Sequence, residues 1–340
     1  MPTLYINGKD TEVHLDDRRL DISWKDLKND EIVSRSVPLH DVERVVIIGT
    51  PSVSMAVLHT LLKAGTPVFL LSYNGHWLGS MMPNNDMNGA RRLRQYEVSN
   101  DETLRLRVAR RLVHAKIRNM RRVLQRLAAN RKQSADAEQF EACNSLASLL
   151  NDLERVDSLD SVRGYEGIAT ATYFKRLSAF FPPELPFVSR SRRPPQDEAN
   201  SLLSWTYTIV MAEIEAEIRC AGLDPCFGFL HEIFNGRPSL ACDLIEPLRA
   251  PLCDMLVMNL VNHSLIKREH FYRDADDGGV YLNNSARGVF FNEYEQYMLR
   301  RFAEAKKGLH VDFRKVIFNM VHAICNTIED KEERDFFFMP

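Results

Sequence analysis

Three stretches of this 340-residue chain carry side chains whose types and spacing could do chemistry. In "GFLHEIFNGRPSLACDLIEPLR", residues 228–249, His231 stands twelve positions before Asp243, and Glu246 follows three later. Acids at i and i+3 share one face of a helix. Gly236 and Pro238 allow a sharp reversal that returns the imidazole to that face. Imidazole nitrogen with carboxylate oxygen suits Mn²⁺, Mg²⁺ is also admitted, and the lack of a thiolate cluster speaks against structural zinc. The same spacing equally describes a hydrogen-bonded or surface histidine in a loop that runs into an amphipathic helix.

The second stretch is "VRGYEGIATATYF", 162–174, with Glu166 between Gly164 and Gly167. The spacing predicts a change from loop to helix there, with Glu166 in the first helical turn, where the helix dipole favours a carboxylate. In the third, "SRSRRPPQDEANSLLSWTYTIV" at 189–210, Arg192 and Arg193 precede a Pro-Pro break, and Asp197 and Asn200 open an apolar helix. Arginines beside a cleft hold phosphates; the plainer reading is a break and caps that start a core helix.

These groups need elements to position them. Residues 1–82 read as a small β-rich domain with one helix: "TLYIN", "TEVHLDDRRLDIS", "EIVSRSVPL", "RVVIIG", "TPVFLLS" and "HWLGSMM" are strand-like, and "SVSMAVLHTLLKAG" has helical spacing with Ser52 or Ser54 as cap. Residues 83–90, "PNNDMNGA", carry only turn chemistry and mark a linker. From 91 to 340 the period is 3.6. Helices are expected over 102–129, 138–157, 166–180, 197–221, 243–266, 288–306 and 311–328, with a break around 181–196. The fold class expected is α+β, a small β domain followed by a larger all-α one.

The formal net charge is only −2, yet between Arg91 and Lys132 fourteen Lys/Arg face three acids, an excess of eleven. Solvated helix faces usually mix signs for i,i+4 pairing, so this stripe, with Arg118, Arg121 and Arg122 at its centre, reads as a polyanion surface. Six cysteines show no CxxC pair, and no apolar run approaches the roughly 20 residues that cross a bilayer. No secretory signal is visible in "MPTLYINGKD". A cytoplasmic protein without membrane attachment is the simplest expectation.

The segments "RGYEG", "SRRPPQDEANSLLSWTYT", "AGLDPCFGFLHEIFNGRPSLACDLIEPLR" and "NHSLIKREHF" resemble the core of the CRISPR spacer-acquisition integrase, the universal CRISPR-associated endonuclease of adaptation. The strand pattern through "VPLHDVERVVIIGTPSVSMAVLHTLLKAGTPVFLLSYNGHWLG" is similar to that family's β-domain, so the likeness runs from about residue 3 to about residue 306. The resemblance implies a divalent metal, Mn²⁺ or Mg²⁺, held by Glu166 of "GYEG", His231 of "GFLH" and Glu246 closing "DLIE". Asp243 is then expected to support Glu246, with Asn200 a further supporting residue. No organic cofactor is implied.

Arg192, Arg193 and Lys267, with the stripe arginines, become candidate nucleic-acid contacts. The activity implied is joining of prespacer 3′-hydroxyl ends to the CRISPR repeat by transesterification, with hydrolysis of branched DNA at the same site. A stand-alone structure-specific endonuclease and a non-catalytic DNA-binding scaffold are the alternatives. The partners implied are double-stranded and branched DNA, a second copy joined through the β-domains, and a small ferredoxin-like CRISPR-associated protein. "HWLGSMM" and the tail "DFFFMP" are open as interface segments, core or a disordered end.

Overall fold

The structure, a computed structural model, describes residues 3–26, 30–73, 75, 77–83, 88–131, 136–303, 310–329 and 335–340. Positions 84–87 of the expected linker, His76 and Lys132 lie outside the described residues. The chain separates into two units, Met1–Gly89 with Arg219–Leu223, and Ala90–Ile218 with Asp224–Pro340.

In the first unit, strands β1 (Thr3–Asn7), β2 (Thr11–Asp16), β3 (Arg19–Asp26), β4 (Glu31–Pro38), β5 (Arg44–Ile48), β6 (Ser52–Val53), β7 (Val68–Leu71) and β8 (Trp77–Met81) accompany helix α1 (Met55–Lys63). They form two four-stranded sheets, ordered β4-β3-β2-β6 and β1-β5-β7-β8. The run "TEVHLDDRRLDIS" is a hairpin rather than one strand. Asp16 pairs with Arg19, and Asp17 adopts φ 51° in the two-residue turn, a conformation that Asp tolerates. β5 lies parallel between β1 and β7 and is buried throughout, as a continuous "RVVII" run in a parallel sheet requires. Ser54, not Ser52, caps α1 by accepting from the Val57 N–H. Ile6, Val13, Leu20, Val45, Val57, Leu61 and Val68 form the core of this unit.

The second unit is largely helical: α2 (Gly89–Ser99), α3 (Glu102–Ala129), α4 (Ala137–Leu153), α5 (Leu159–Leu177), α6 (Glu198–Cys220), α7 (Ser239–Leu248), α8 (Met255–Asn262), α9 (Asn284–Leu299) and α10 (Phe313–Ile328). Two short ribbons were not expected: β9 (Phe271–Arg273) with β10 (Val280–Leu282), and β11 (Phe302–Ala303) with β12 (His310–Val311). The second ribbon begins where a helix was expected to run on to 306. No helix among the described residues is long and apolar enough to cross a membrane.

α3 is the axis of this unit. Its 28 residues span roughly 42 Å at about 1.5 Å per residue. Asp101 caps it, accepting from the Leu104 N–H at 3.0 Å, and Val108, Leu112, Ile117, Met120, Val123 and Leu124 bury its apolar seam against α4, α5 and α7.

Arginines of the basic stripe on α3 also make contacts within the protein, while Arg118 and Arg122 stay exposed. Arg110 and Arg121 donate to main-chain carbonyls of Glu154 and Cys143. Arg118 lies 4.3 Å from the Phe338 ring centre, and Arg122 donates to the Pro340 carbonyl at 2.9 Å. The tail "DFFFMP" is therefore docked on α3, with Phe336 and Phe337 buried. Greasy rings beside guanidinium planes stack on them, which the sign of the charge alone did not reveal.

The expected helix 243–266 opens earlier, at Ser239, and is broken by its own prolines. Pro251 has no N–H for the carbonyl of Pro247, four residues back, and the backbone widens into a π-turn over Arg249–Asp254. Asn119, fully buried on α3, takes over: its Nδ2 donates to the Pro247 carbonyl at 2.8 Å and to the Phe337 carbonyl at 2.9 Å, while its Oδ1 accepts from the Met339 N–H at 2.8 Å. One amide thus ties the central helix, the broken helix and the tail together. Replacing Asn119 with Ala should destabilise the protein by about 2–4 kcal/mol, since buried groups lose their partners at about 1–3 kcal/mol each. Urea denaturation of the full chain measures it, and a change below about 0.5 kcal/mol would show that the amide is dispensable.

Candidate active site

Glu166 sits on α5, and Asp243 and Glu246 on α7, two helices that both pack on α3. Glu166 is the eighth residue of α5, whose start is capped by Ser158. The expectation that it stands in a first helical turn is therefore corrected, and the helix dipole is not its support. Gly164 and Gly167 are mid-helix, with open space where a side chain would begin. What positions Glu166 is local. Thr170, one turn on, donates to its Oε1 at 2.9 Å, and the Lys116 ammonium of α3 bonds the same oxygen.

Glu246 faces the same ammonium from α7. Lys116 Nζ lies 2.5 Å from its Oε2, and Arg249 Nε lies 3.0 Å from its Oε1. The side chains of Lys116 and Glu246 are 3% and 6% exposed, so these charges are met inside the protein. Burial on its own would raise the Glu246 pKa. Arg249, Lys116 and, less strongly, His231 outweigh it and hold the carboxyl down at about 2.

Asp243 is wholly buried and belongs to the His231 loop. Its Oδ2 accepts the N–H groups of Phe229 at 2.5 Å and Leu230 at 3.0 Å, and its Oδ1 accepts the His231 N–H at 2.9 Å. The same Oδ1 lies 2.7 Å from His231 Nδ1. A carboxylate already serving as acceptor to three amides takes the imidazole contact as acceptor too, so Nδ1 carries a proton, and in the neutral ring Nε2 is the nitrogen with the lone pair. The support that Asp243 gives is to His231, not to Glu246. A side chain at Gly228 would begin 2.7 Å from Asp243 Oδ2 and 2.8 Å from the Ser239 backbone, so only glycine fits there.

Arg163, three residues before Glu166, donates to the Leu230 carbonyl at 2.9 and 2.8 Å, and also pairs with Asp160 and Glu232. It fastens the helix of Glu166 to the loop of His231.

Glu166, His231 and Glu246 do not close into a ligand set as they stand. Among the described residues no group of three or more His, Cys, Asp or Glu is gathered to hold a metal ion. Two of the three nevertheless converge on one cation, the Lys116 ammonium, and the third presents an imidazole fixed by a carboxylate. The donor set fits a hard divalent ion once Lys116 yields those oxygens.

A second buried network adjoins Arg249. Its guanidinium lies 4.6 Å from the Tyr207 ring centre, with Arg190 at 5.2 Å from the same ring. Tyr207 and Tyr173 donate their hydroxyls to Asp254 at 2.5 and 2.9 Å. Burial raises the Asp254 carboxyl to about 6, beyond what the two phenols, Arg190 and Arg249 pull back. Asn200 organises the neighbouring loop and touches no candidate ligand: its Oδ1 accepts from Arg190 at 2.7 Å and the Ser191 N–H at 2.9 Å, and its Nδ2 reaches the Ser189 carbonyl and Asp197. Arg192, Arg193 and Lys267 are exposed. None of the three touches Glu166, His231 or Glu246 among the described residues.

The model of the family described as CRISPR associated protein Cas1 matches residues 4–296. The chain belongs to the Cas1 family. A Cas1 relative from Thermodesulfovibrio yellowstonii, named CRISPR-associated endonuclease Cas1 1, is 35% identical over 299 residues, 88% of this chain and 92% of its own. A solved casposase bound to integration product is 25% identical with a TM-score of 0.85, over 100% of this chain and 94% of the other. A chain of a solved Cas6-RT-Cas1–Cas2 complex is 24% identical with a TM-score of 0.78, over 99% of this chain and 36% of that one, and shows the shared Cas1 fold.

Sequence reasoning missed Lys116, Arg163 and Arg249 in this Cas1 chain. Lys116 had a signal. It lies four residues after Leu112 and four before Met120, on the apolar seam of α3 rather than its basic face. Arg163 and Arg249 each stand three residues from a motif acid, which is helical contact spacing.

The Asp254 network yields a test by pH. A carboxyl whose folded pKa is raised from 3.8 to about 6 supports folding fully below 3.8 and loses that contribution as pH rises through 6. Against Asp254→Asn, the wild-type chain should lose on the order of 3 kcal/mol between those limits and then level off. Urea titrations at successive pH values, differenced between the two proteins, read it. A flat difference would show that Asp254 has no raised pKa.

Proposed function

We propose that this Cas1 chain is a divalent-metal-dependent DNA integrase and endonuclease of CRISPR adaptation. The observation that carries the reading is the convergence of Glu166 and Glu246, from separate helices, on one buried cation, with the Asp243-oriented His231 near enough to act electrostatically on Glu246. With Lys116 displaced, Glu166, Glu246 and the Nε2 of His231 would hold Mn²⁺ or Mg²⁺. Such an ion, when bound, supplies Lewis acidity to a phosphate oxygen and favours the attacking oxygen as nucleophile.

The chain's own residues do the rest. Asp243 holds the His231 ring in the tautomer that leaves Nε2 open. Until an ion is held there, Arg249 and Lys116 keep Glu246 ionised in a setting that would otherwise protonate it. The reaction is transesterification: a prespacer 3′-oxygen bonds to a repeat phosphorus as the bond to the repeat's 3′-oxygen breaks, and the attacking hydroxyl's proton ends on the departing oxygen or on solvent. With water in place of the 3′-hydroxyl, the same site hydrolyses branched DNA. The endonuclease name of the relative and the integration product of the casposase support the two halves of this reading.

The partners we propose are prespacer and repeat DNA, a second copy of the chain, and a small ferredoxin-like protein. The Cas6-RT-Cas1–Cas2 complex among the structural relatives is in keeping with a CRISPR-associated protein partner, whose ferredoxin-like fold is part of the proposal. The cytoplasm is the compartment where such DNA is met. A non-catalytic scaffold would not need a charge-balanced carboxylate pair with one member buried.

Strand joining can be measured with a 3′-hydroxyl oligonucleotide, a supercoiled plasmid carrying the repeat, Mn²⁺ and the small partner. Glu166→Gln, His231→Ala and Glu246→Gln should each reduce joining about 100-fold or more, and a 3′-deoxy donor should abolish it. Joining by the triple variant would overturn the site. Cleavage of branched DNA with no joining would leave a stand-alone nuclease.

Duplex affinity should come from exposed Arg192, Arg193 and Lys267. Reversing all three to Glu should weaken binding and lower the slope of log K against log salt by about 2–3, at roughly 0.9 per phosphate contact. An unchanged slope would exclude these residues from the DNA path.

A further inference from the structure

We propose that Lys116 is a resident counter-cation, occupying the oxygens that a metal ion needs, and that its displacement makes metal loading depend on DNA. The inference rests on reading Glu166 and Glu246 as metal ligands. The Lys116 ammonium bonds Glu166 Oε1 and lies 2.5 Å from Glu246 Oε2, so it bridges one oxygen of each carboxylate. Divalent ions of this class bind carboxylate oxygens at about 2.0–2.6 Å. An ammonium and an ion cannot share the same two oxygens at such distances without placing two cations in contact.

The charge count gives the displacement its consequence. Glu166 and Glu246 carry two negative charges, and Lys116 and Arg249 carry two positive ones, each bonded to a carboxylate of the pair. The quartet is balanced without metal. A divalent ion in place of the ammonium, with Arg249 still bonded to Glu246, leaves one positive charge in excess in a largely buried place, where unpaired charge is costly. A phosphodiester brings a negative charge to that place. It also gives the released ammonium a new partner, so ion and DNA bind best together.

The surroundings suit a movable cation. Lys116 is the one lysine on α3 among eight arginines, and a compact charge on a flexible stem can leave where a forked guanidinium would not. The backbone beneath it does not have to move, because Asn119 fastens that turn of α3 to Pro247 and to the tail. Access is one-sided. Glu246 is 6% exposed, whereas Glu166 is 28% exposed and offers the route by which an ion enters and the ammonium leaves.

Mn²⁺ is the probe, titrated into the full chain at constant pH, with free ion read by electron paramagnetic resonance, alone and with branched duplex DNA. Wild-type affinity should rise tenfold or more when DNA is present. Lys116→Met should bind Mn²⁺ at least about tenfold more tightly without DNA and lose most of the DNA-dependent gain, while Lys116→Arg should stay weak. Unchanged or weaker binding by Lys116→Met overturns the inference.

A second measurement needs no variant. Amine acetylation followed by mass spectrometry should find Lys116 protected in the metal-free, DNA-free protein and labelled at least several-fold more once Mn²⁺ saturates. Continued protection at saturation also overturns it. If Glu166→Gln with Glu246→Gln leaves Mn²⁺ binding intact, the ligand assignment fails first. If that pair abolishes binding and Lys116→Met is neutral, only the inference fails.

Discussion

An ionised Glu246 inside the protein is the constraint around which the helical unit is arranged. A carboxylate removed from water must be met by charge and hydrogen bonds or it takes up a proton. Here Arg249 answers one oxygen from the next turn of chain, and Lys116 answers the other from a different helix. Because Lys116 also bonds Glu166, the same need draws α5 onto α3. Three helices meet where the charge has to be balanced.

That meeting point works only because α7 ends abruptly. Prolines at 247 and 251 take N–H groups out of the helix ladder, and the chain passes through a wide turn. The turn sets Arg249 back onto Glu246 and Asp254 inward onto Tyr207 and Tyr173. The carbonyl left without its helical donor is taken by Asn119, which also fixes the tail. Site, break and tail are one hydrogen-bonded assembly.

Much of the fold was legible. Alternating and continuous apolar runs marked the strands of the first unit, and a 3.6-residue period marked α3. Less was legible where one rule competed with another. Glycines around Glu166 suggested a helix start, yet α5 begins seven residues before Glu166 because Ser158 caps it and the apolar residues behind it bury. The arginines of α3 suggested an open surface, yet a tail more than two hundred residues away in sequence packs its rings among them. A count of charges along a helix says nothing about which distant segment will cover it.

Sequence alone determined which residues are chemically able: a histidine and two acids in one stretch, a glutamate in another, and arginines at helical spacing from both. It also carried, unread, the lysine on the apolar seam of α3. Only the tertiary structure decided the pairings. Asp243 serves His231 because the loop folds three amides and an imidazole onto its buried carboxylate, and Lys116 sits between Glu166 and Glu246 because three helices pack there. Side-chain type is local, but the partner of a buried charge is set by whichever element packing brings within about 3 Å of it.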